Sequence, residues 1–343
     1  MSKLKKKHIN LALQGGGAHG AFTWGVLDYI LEDDRLEIDA ISGTSAGAMN
    51  AVALADGMLE GGVEGARVQL ERFWKAISSD SALSPIQRSI FNKLLGVWNL
   101  DNSPGLLWAD IVQSIYNPYD FNPANINPIK SLLDREINFE NVQKCSKIKV
   151  FVAATNVRTG KIKVFNQTRL DSDRVMASAC LPSIFQAVEI EGEHYWDGGY
   201  MGNPALFPFY KGTPAKEILD ILVVQINPIE RKDVPRTSRE IADRVNEITF
   251  NASLLREFRA IEFVTRLIEQ GKLSQSDYSK INMHRISALD ELSELTASSK
   301  LNAEWDFFVY LKDHGRHAAK LWLDTHFDDI GQRTTIDLLK AVN

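Results

Sequence analysis

The stretch Ile38-Asp39-Ala40-Ile41-Ser42-Gly43-Thr44-Ser45-Ala46-Gly47-Ala48-Met49-Asn50 decides how the chain is read. An apolar run, Ile38 to Ile41, ends in Gly-x-Ser-x-Gly and passes at once into small residues, Ala46 to Ala55, that predict a helix. That order is what a nucleophile elbow requires. The serine sits on a cramped strand-to-helix turn, and Gly43 and Gly47 remove the Cβ atoms that would collide there. The helix that follows points its first amides and positive dipole end at charge developing near Ser45. A bare Gly-x-Ser-x-Gly is common by chance, so the flanking strand and helix carry the argument.

Upstream, Ile9 to Leu13 alternates as a strand and runs into Gln14-Gly15-Gly16-Gly17-Ala18-His19-Gly20. A helix follows in which Phe22, Val26, Tyr29 and Ile30 share one face. A glycine-rich loop between strand and helix leaves backbone N–H groups free to converge on an anion. A nucleotide-binding loop would need a Gly-Lys-Ser/Thr or dinucleotide spacing, and Gly15 to Gly20 has neither. An oxyanion hole serving the serine downstream fits better, because acyl transfer needs donors aimed at a tetrahedral oxyanion.

Together, Gly15-Gly16-Gly17-Ala18-His19-Gly20, Gly43-Thr44-Ser45-Ala46-Gly47 and Tyr195-Trp196-Asp197-Gly198-Gly199 resemble the patatin-like phospholipase family. The approach from Ala177 to Phe185 and the pair Asn203-Pro204 share the likeness, which covers roughly residues 8 to 230. The resemblance implies a three-layer α/β/α patatin-like fold with a mainly parallel central sheet. It assigns oxyanion donors to the 15–20 loop and a Ser-Asp dyad to Ser45 and Asp197, with Gly198 and Gly199 turning the aspartate towards the elbow. His19 departs from the pattern, since the family carries Arg or Lys there. Backbone donors survive that change, but a charge at position 19 becomes dependent on pH.

Seven histidines are available as a base, but none follows an acidic partner in a strand-end loop, where the Ser…Asp…His order places it. His194 is out of phase with Asp197 on its strand and points to the other face. A carboxylate with a pKa near ~3.9 cannot hold the serine proton in the ground state. It can accept that proton during attack if burial raises its pKa. An Asp-Gly-Gly alone is more often a simple turn; the other two motifs tip it to catalysis.

Composition narrows the rest. The 343 residues are 44% hydrophobic and 24% charged with net charge -5, which suits a globular protein and argues against a nucleic-acid partner. Cys145 and Cys180 have neither metal spacing nor a disulfide framework and read as buried apolar residues. No metal site and no cofactor is expected. The basic start, Lys3 to His8, is followed by too short an apolar run for a signal peptide, and no stretch reaches the ~20 apolar residues of a membrane span. The expected location is cytoplasmic, with peripheral membrane contact open to the lysine cluster, although a solvated end is the plainer reading.

Residues 81–128 are broken by Pro85, Pro104, Pro118, Pro123 and Pro128 into short apolar pieces, as in a helical cap or insertion over an active site. Lys147 to Asn156 and Ile162 to Phe165 read as a hairpin, as do Val188 to Asp197 around Glu191-Gly192. Ile218 to Asn227 has the continuous apolar run of a buried central strand. A catalytic domain over 8–230 is followed by a helix-rich extension over 231–343, in which His284 to Ser287 reads as a strand and Ala303–Leu311 and Arg316–Phe327 as separate helices. The expected function is a lipid acyl hydrolase of phospholipase A or lysophospholipase type, with a lipid or other acyl ester as substrate. Its rivals are acyl transfer, hydrolysis of a neutral lipid or storage polyester, and an inactive lipid-binding module.

Overall fold

A computed structural model of the chain describes residues 6–81, 84, 86–88, 92–93, 96–101, 103–106, 108, 116–211, 218–274, 278–288, 292 and 295–342. Eight strands form one sheet: β1 Lys7–Leu13, β2 Leu36–Gly43, β3 Lys149–Asn156, β4 Ile162–Asn166, β5 Val188–Ile190, β6 Glu193–Asp197, β7 Leu219–Gln225 and β8 Ile281–Ser287. The order is β5-β6-β3-β2-β1-β7-β8, with β4 also paired to β3. From β3 to β8 the neighbours are parallel, and the β3–β4, β3–β6 and β5–β6 pairs are antiparallel. Both hairpins therefore form where the spacing predicts them. The second turns at Glu191 and Gly192, whose φ values of 55° and 79° are the left-handed pair such a tight turn needs.

Strand alternation sends side chains to two cores. Ile9, Leu11, Leu13, Leu222 and Val224 face α1 (Gly20–Asp33), α2 (Ala46–Asp80) and a C-terminal helix. Ala12, Ile221, Val223 and Met283 face Leu254, Phe258 and Ile261 of a second long helix. With helices on both faces, the architecture is three-layered α/β/α, as expected. α2 breaks at Gly61–Gly62 and doubles back, so that Gly57 and Gly65 meet backbone to backbone. α3 (Ser172–Ser178), α4 (Ser238–Glu269) and α5 (Trp305–His326) complete the elements used below.

One expectation is corrected. The two helices expected over 303–311 and 316–327 are the single helix α5, with Gly315 inside it. Trp305, Phe308 and Trp322 pack into the core of α1, α2 and α5. Residues after 230 also contribute to the sheet, since β8 pairs with β7 along its whole length. Both cysteines are buried and free. In the 81–128 region, Leu100 and Leu106 are buried and Trp98 packs on Phe307 and Tyr310, while Trp108 is exposed. Pro85, Ile90, Phe91, Leu94, Leu95, Leu107, Ile111 and Ile115 lie outside the described residues. No helix of the described residues is long and apolar enough to cross a membrane.

Candidate active site

β1 and β2 end side by side, Leu13 opposite Gly43, and β3 reaches the same level at Val152. Two loops therefore leave the sheet together at its carboxyl edge, where open α/β sheets place their sites. The first is Gln14–Gly20. The second is the elbow, where Ser45 has φ 54° and ψ −122°, a strained backbone for a residue with a side chain. Such strain persists because the surroundings impose it: a Cβ on Gly47 would stand 2.3 Å from Leu13 O, so only glycine lets α2 start this close to β1. Gly43 is the last residue of β2 and packs directly under Gly47. The Ser45 N–H donates to Ser178 Oγ at 2.9 Å, which ties the elbow to the end of α3.

Asp197 arrives from the antiparallel side, as the last residue of β6, paired with Ala154. Its backbone is anchored twice: its N–H donates to Cys180 O and its carbonyl accepts from Thr155 Oγ1, both at 2.8 Å. The side chain is buried. Oδ1 accepts the Gly199 N–H at 2.7 Å, while Oδ2 has no hydrogen-bond partner. Burial lifts the carboxyl to about 7, against smaller pulls from the Gly199 N–H and the Ser45 hydroxyl. Gly198 lies against Ala153 and Thr44, and Gly199 against the Phe250 ring of α4.

The glycine loop packs on the elbow: a Cβ on Gly15 would stand 2.6 Å from Ser45 Cβ. Gly15 differs from the rest of the loop, since its N–H donates to Asn203 Oδ1 at 2.7 Å. It therefore anchors the loop, and the N–H groups of Gly16, Gly17 and Ala18 are those without a partner among the described residues. Gly20 opens α1, with its N–H turned back to Ala18 O and Gly17 O. Gln14 fastens the base of the loop, accepting from the backbone N–H groups of Ile226 and Asn227 and donating to Asn203 O. Asn227 Nδ2 donates to Gly15 O at 2.6 Å.

His19 changes meaning in the structure. It is buried, with Nε2 2.7 Å from Ser299 Oγ and Nδ1 without a partner. Burial first, then Lys300 and Arg231, hold its pKa well below the usual histidine value, so it is neutral at physiological pH. The expectation of a pH-dependent charge at this position is therefore corrected. Neither Ser45 nor Asp197 has a histidine partner among the described residues. His194 lies towards Glu189, His8 meets Asp39 and His284 is buried against Asp220.

The sequence by itself assigns no role to Ser178, Asn203, Asn227 or Lys300. Asn203-Pro204 shares the family likeness, but no local signal says which loop its side chain meets. A family model, Patatin-like phospholipase, matches residues 11–210. Among curated proteins none matches the chain. Among solved structures, VipD from Legionella pneumophila aligns at 15% identity over 93% of this chain and 67% of its own, with TM-score 0.45. ExoU from Pseudomonas aeruginosa, in its heterodimeric complex with SpcU, aligns at 18% identity over 73% of this chain, with TM-score 0.35. This chain spans 51% of that ExoU chain. The family match takes in more than half of the 343 residues, so the chain belongs to the patatin-like phospholipase family.

Proposed function

We propose that the chain is a lipid acyl hydrolase working through Ser45 and Asp197. The observation that carries this reading is the buried carboxyl beside the elbow serine, lifted to about 7. At that value the group is substantially ionised near neutrality and still basic enough to take a proton as attack develops. Ser45 Oγ bonds to the ester carbonyl carbon while its proton passes to Asp197. The oxyanion is met by the amides of Gly16, Gly17 and Ala18; one such donor is worth ~2.7–4 kcal/mol in a comparable hydrolase. Collapse expels the alcohol, which leaves with the proton from Asp197. Water then attacks the acyl-serine with Asp197 again as base, freeing the acid and restoring Ser45.

A lipid tail suits the surroundings. Tyr119, Phe121 and Ile126 are exposed on a segment whose Tyr119 Oη accepts from Ala187 N–H and whose Asn122 O accepts from Gln186 Nε2. Gln186 O in turn meets Cys180 Sγ, and Cys180 O holds the Asp197 N–H. The exposed apolar side chains of this segment offer acyl chains a surface, linked through these bonds to the backbone of the base.

The test is to expose the protein to a lipid extract and identify by mass spectrometry the acyl group carried on Ser45. We predict an ester-linked acyl group on Ser45, free fatty acid as product, and neither with Ser45→Ala. Turnover by the Ser45→Ala protein would remove the assignment, and acylated alcohol in excess of free acid would make the reaction a transfer.

A further inference from the structure

The glycine loop has a neighbour from the far end of the chain. The 3-10 turn Ala297–Leu301 lies directly on it: Ser299 holds His19, and a Cβ on Gly17 would stand 2.5 Å from Lys300 O. Lys300 then extends its side chain along the loop to Asn227 Oδ1, which Nζ reaches at 2.9 Å. The position that a Cβ on Gly16 would take is 3.5 Å from that same oxygen. Through Asn227 the ammonium is tied to the loop that carries the N–H groups without a protein partner.

Its bonding is incomplete. An ammonium carries three donors, and among the described residues Lys300 Nζ has one acceptor, a neutral amide oxygen. No carboxylate is within ion-pair distance of it among the described ion pairs. Glu247, Asp243 and Arg231 are the charged groups that act on it, and Glu247 is engaged by Arg231 at 2.6 Å and Arg244 at 3.2 Å. His19, the other titratable group at the loop, is neutral. Lys300 lies deep in the protein, with part of the residue accessible to solvent. Burying a cation without a contacting counter-charge is unfavourable, and an apolar side chain would fill the place at lower cost. A ligand that brings negative charge removes that cost.

We propose that Lys300 is the cation of this site, a subsite for negatively charged oxygen formed with the Gly16 and Gly17 amides beside Ser45. This rests on the hydrolase reading above. The charged oxygen has two sources: the oxyanion that develops on the ester carbonyl, or a phosphate fixed in the substrate.

Two experiments test this. In the first, the Ser45→Ala protein is titrated with an alkyl phosphonate and with the alcohol of equal chain length. The phosphonate should bind more tightly, and adding Lys300→Met should reduce that preference roughly tenfold to a hundredfold, the worth of one hydrogen bond to a charged group. In the second, kcat and KM are measured on a neutral acyl ester and on a phospholipid. Lys300→Met should lower kcat/KM and Lys300→Arg should restore it. Burial lowers the Lys300 pKa, so the wild-type rate should fall at alkaline pH, and the arginine variant should move that limb upward. Loss on both substrates assigns the oxyanion; a raised KM on the phospholipid alone assigns the phosphate.

Phosphonate preference and kinetics that ignore Lys300, in a protein whose turnover still needs Ser45, overturn the subsite and leave the hydrolase standing. Phosphonate preference that depends on Lys300, without Ser45-dependent turnover, does the reverse. If Lys300→Met fails to fold, Lys300→Arg decides: an unmoved alkaline limb overturns the proposal.

Discussion

Asp197 serves chemistry at a cost to the fold, and that cost can be measured. Its carboxyl ionises near 3.8 in an exposed setting and at about 7 in the folded protein. Between those values the folded chain holds a proton that the unfolded chain has released, so stability falls as pH rises towards 7 and stays reduced above it. Asp197→Asn is neutral at every pH and keeps an acceptor for Gly199. We predict that it melts at higher temperature than wild type at pH 8, by on the order of 1–3 kcal/mol in stability, and that the difference shrinks at pH 4. Turnover should fall about a thousandfold or more in the same variant. The wild-type rate should rise through about pH 7 as Asp197 loses its proton. A variant no more stable than wild type at pH 8 would show that Asp197 is not held in an unfavourable charged state. The identity of Asp197 was legible in its motif; its raised pKa was not, because burial comes from β3, β6 and α3 closing around it.

At the scale of elements, the contact of α1 with α5 shows how tertiary packing overrides a local signal. The sequence reads as separate helices over Ala303–Leu311 and Arg316–Phe327, and Gly315 lies in the gap between them, where glycine disfavours helix by ~1 kcal/mol relative to alanine. In the structure Gly315 is helical because α1 crosses it: a Cβ there would stand 2.1 Å from Phe22 O. Gly25 answers it on α1, where a Cβ would stand 2.0 Å from Lys312 O. The two backbones meet where side chains are missing, and Arg316 reaches back to Asp28 and Glu32 to close the contact. Gly25→Ala should therefore destabilise by about 1–3 kcal/mol in urea unfolding, despite the better helix propensity of alanine. Gly61→Ala is the control: nothing lies within 4 Å of its Cβ position and its φ is −141°, so its effect should stay within about 0.5 kcal/mol. Equal effects at the two sites would mean the crossing is not close-packed.

For the whole molecule, the family match ends at residue 210, before β7 begins at Leu219. Yet β7 sits between β1 and β8, and both faces of the sheet are covered from beyond residue 230, one by α4 and the other through α1 by α5. A chain ending at residue 230 would expose the β7 edge, uncover Ile221 and Val223, and strip Phe22 and Trp24 of their cover. Such edges and patches promote association. We predict that residues 1–230 alone are aggregated or lack a cooperative melting transition in calorimetry. A soluble monomer with a sharp transition would instead make 8–230 a self-sufficient domain.

The sequence alone determined what depends on neighbours along the chain: the elbow and its strand–helix flanks, the glycine loop, the two hairpins and the Asp-Gly-Gly turn. Those features rest on φ restrictions and on periods of two or 3.6 residues, which a few adjacent residues suffice to set. Only the tertiary structure decided that Gly15 anchors its loop while Gly16 to Ala18 present theirs, that His19 is neutral, and that Lys300 stands beside them. These depend on side chains brought together across 188, 212 and 280 residues of chain. Burial and the sharing of charge belong to the packed molecule, because solvent is removed only when distant segments close on one another.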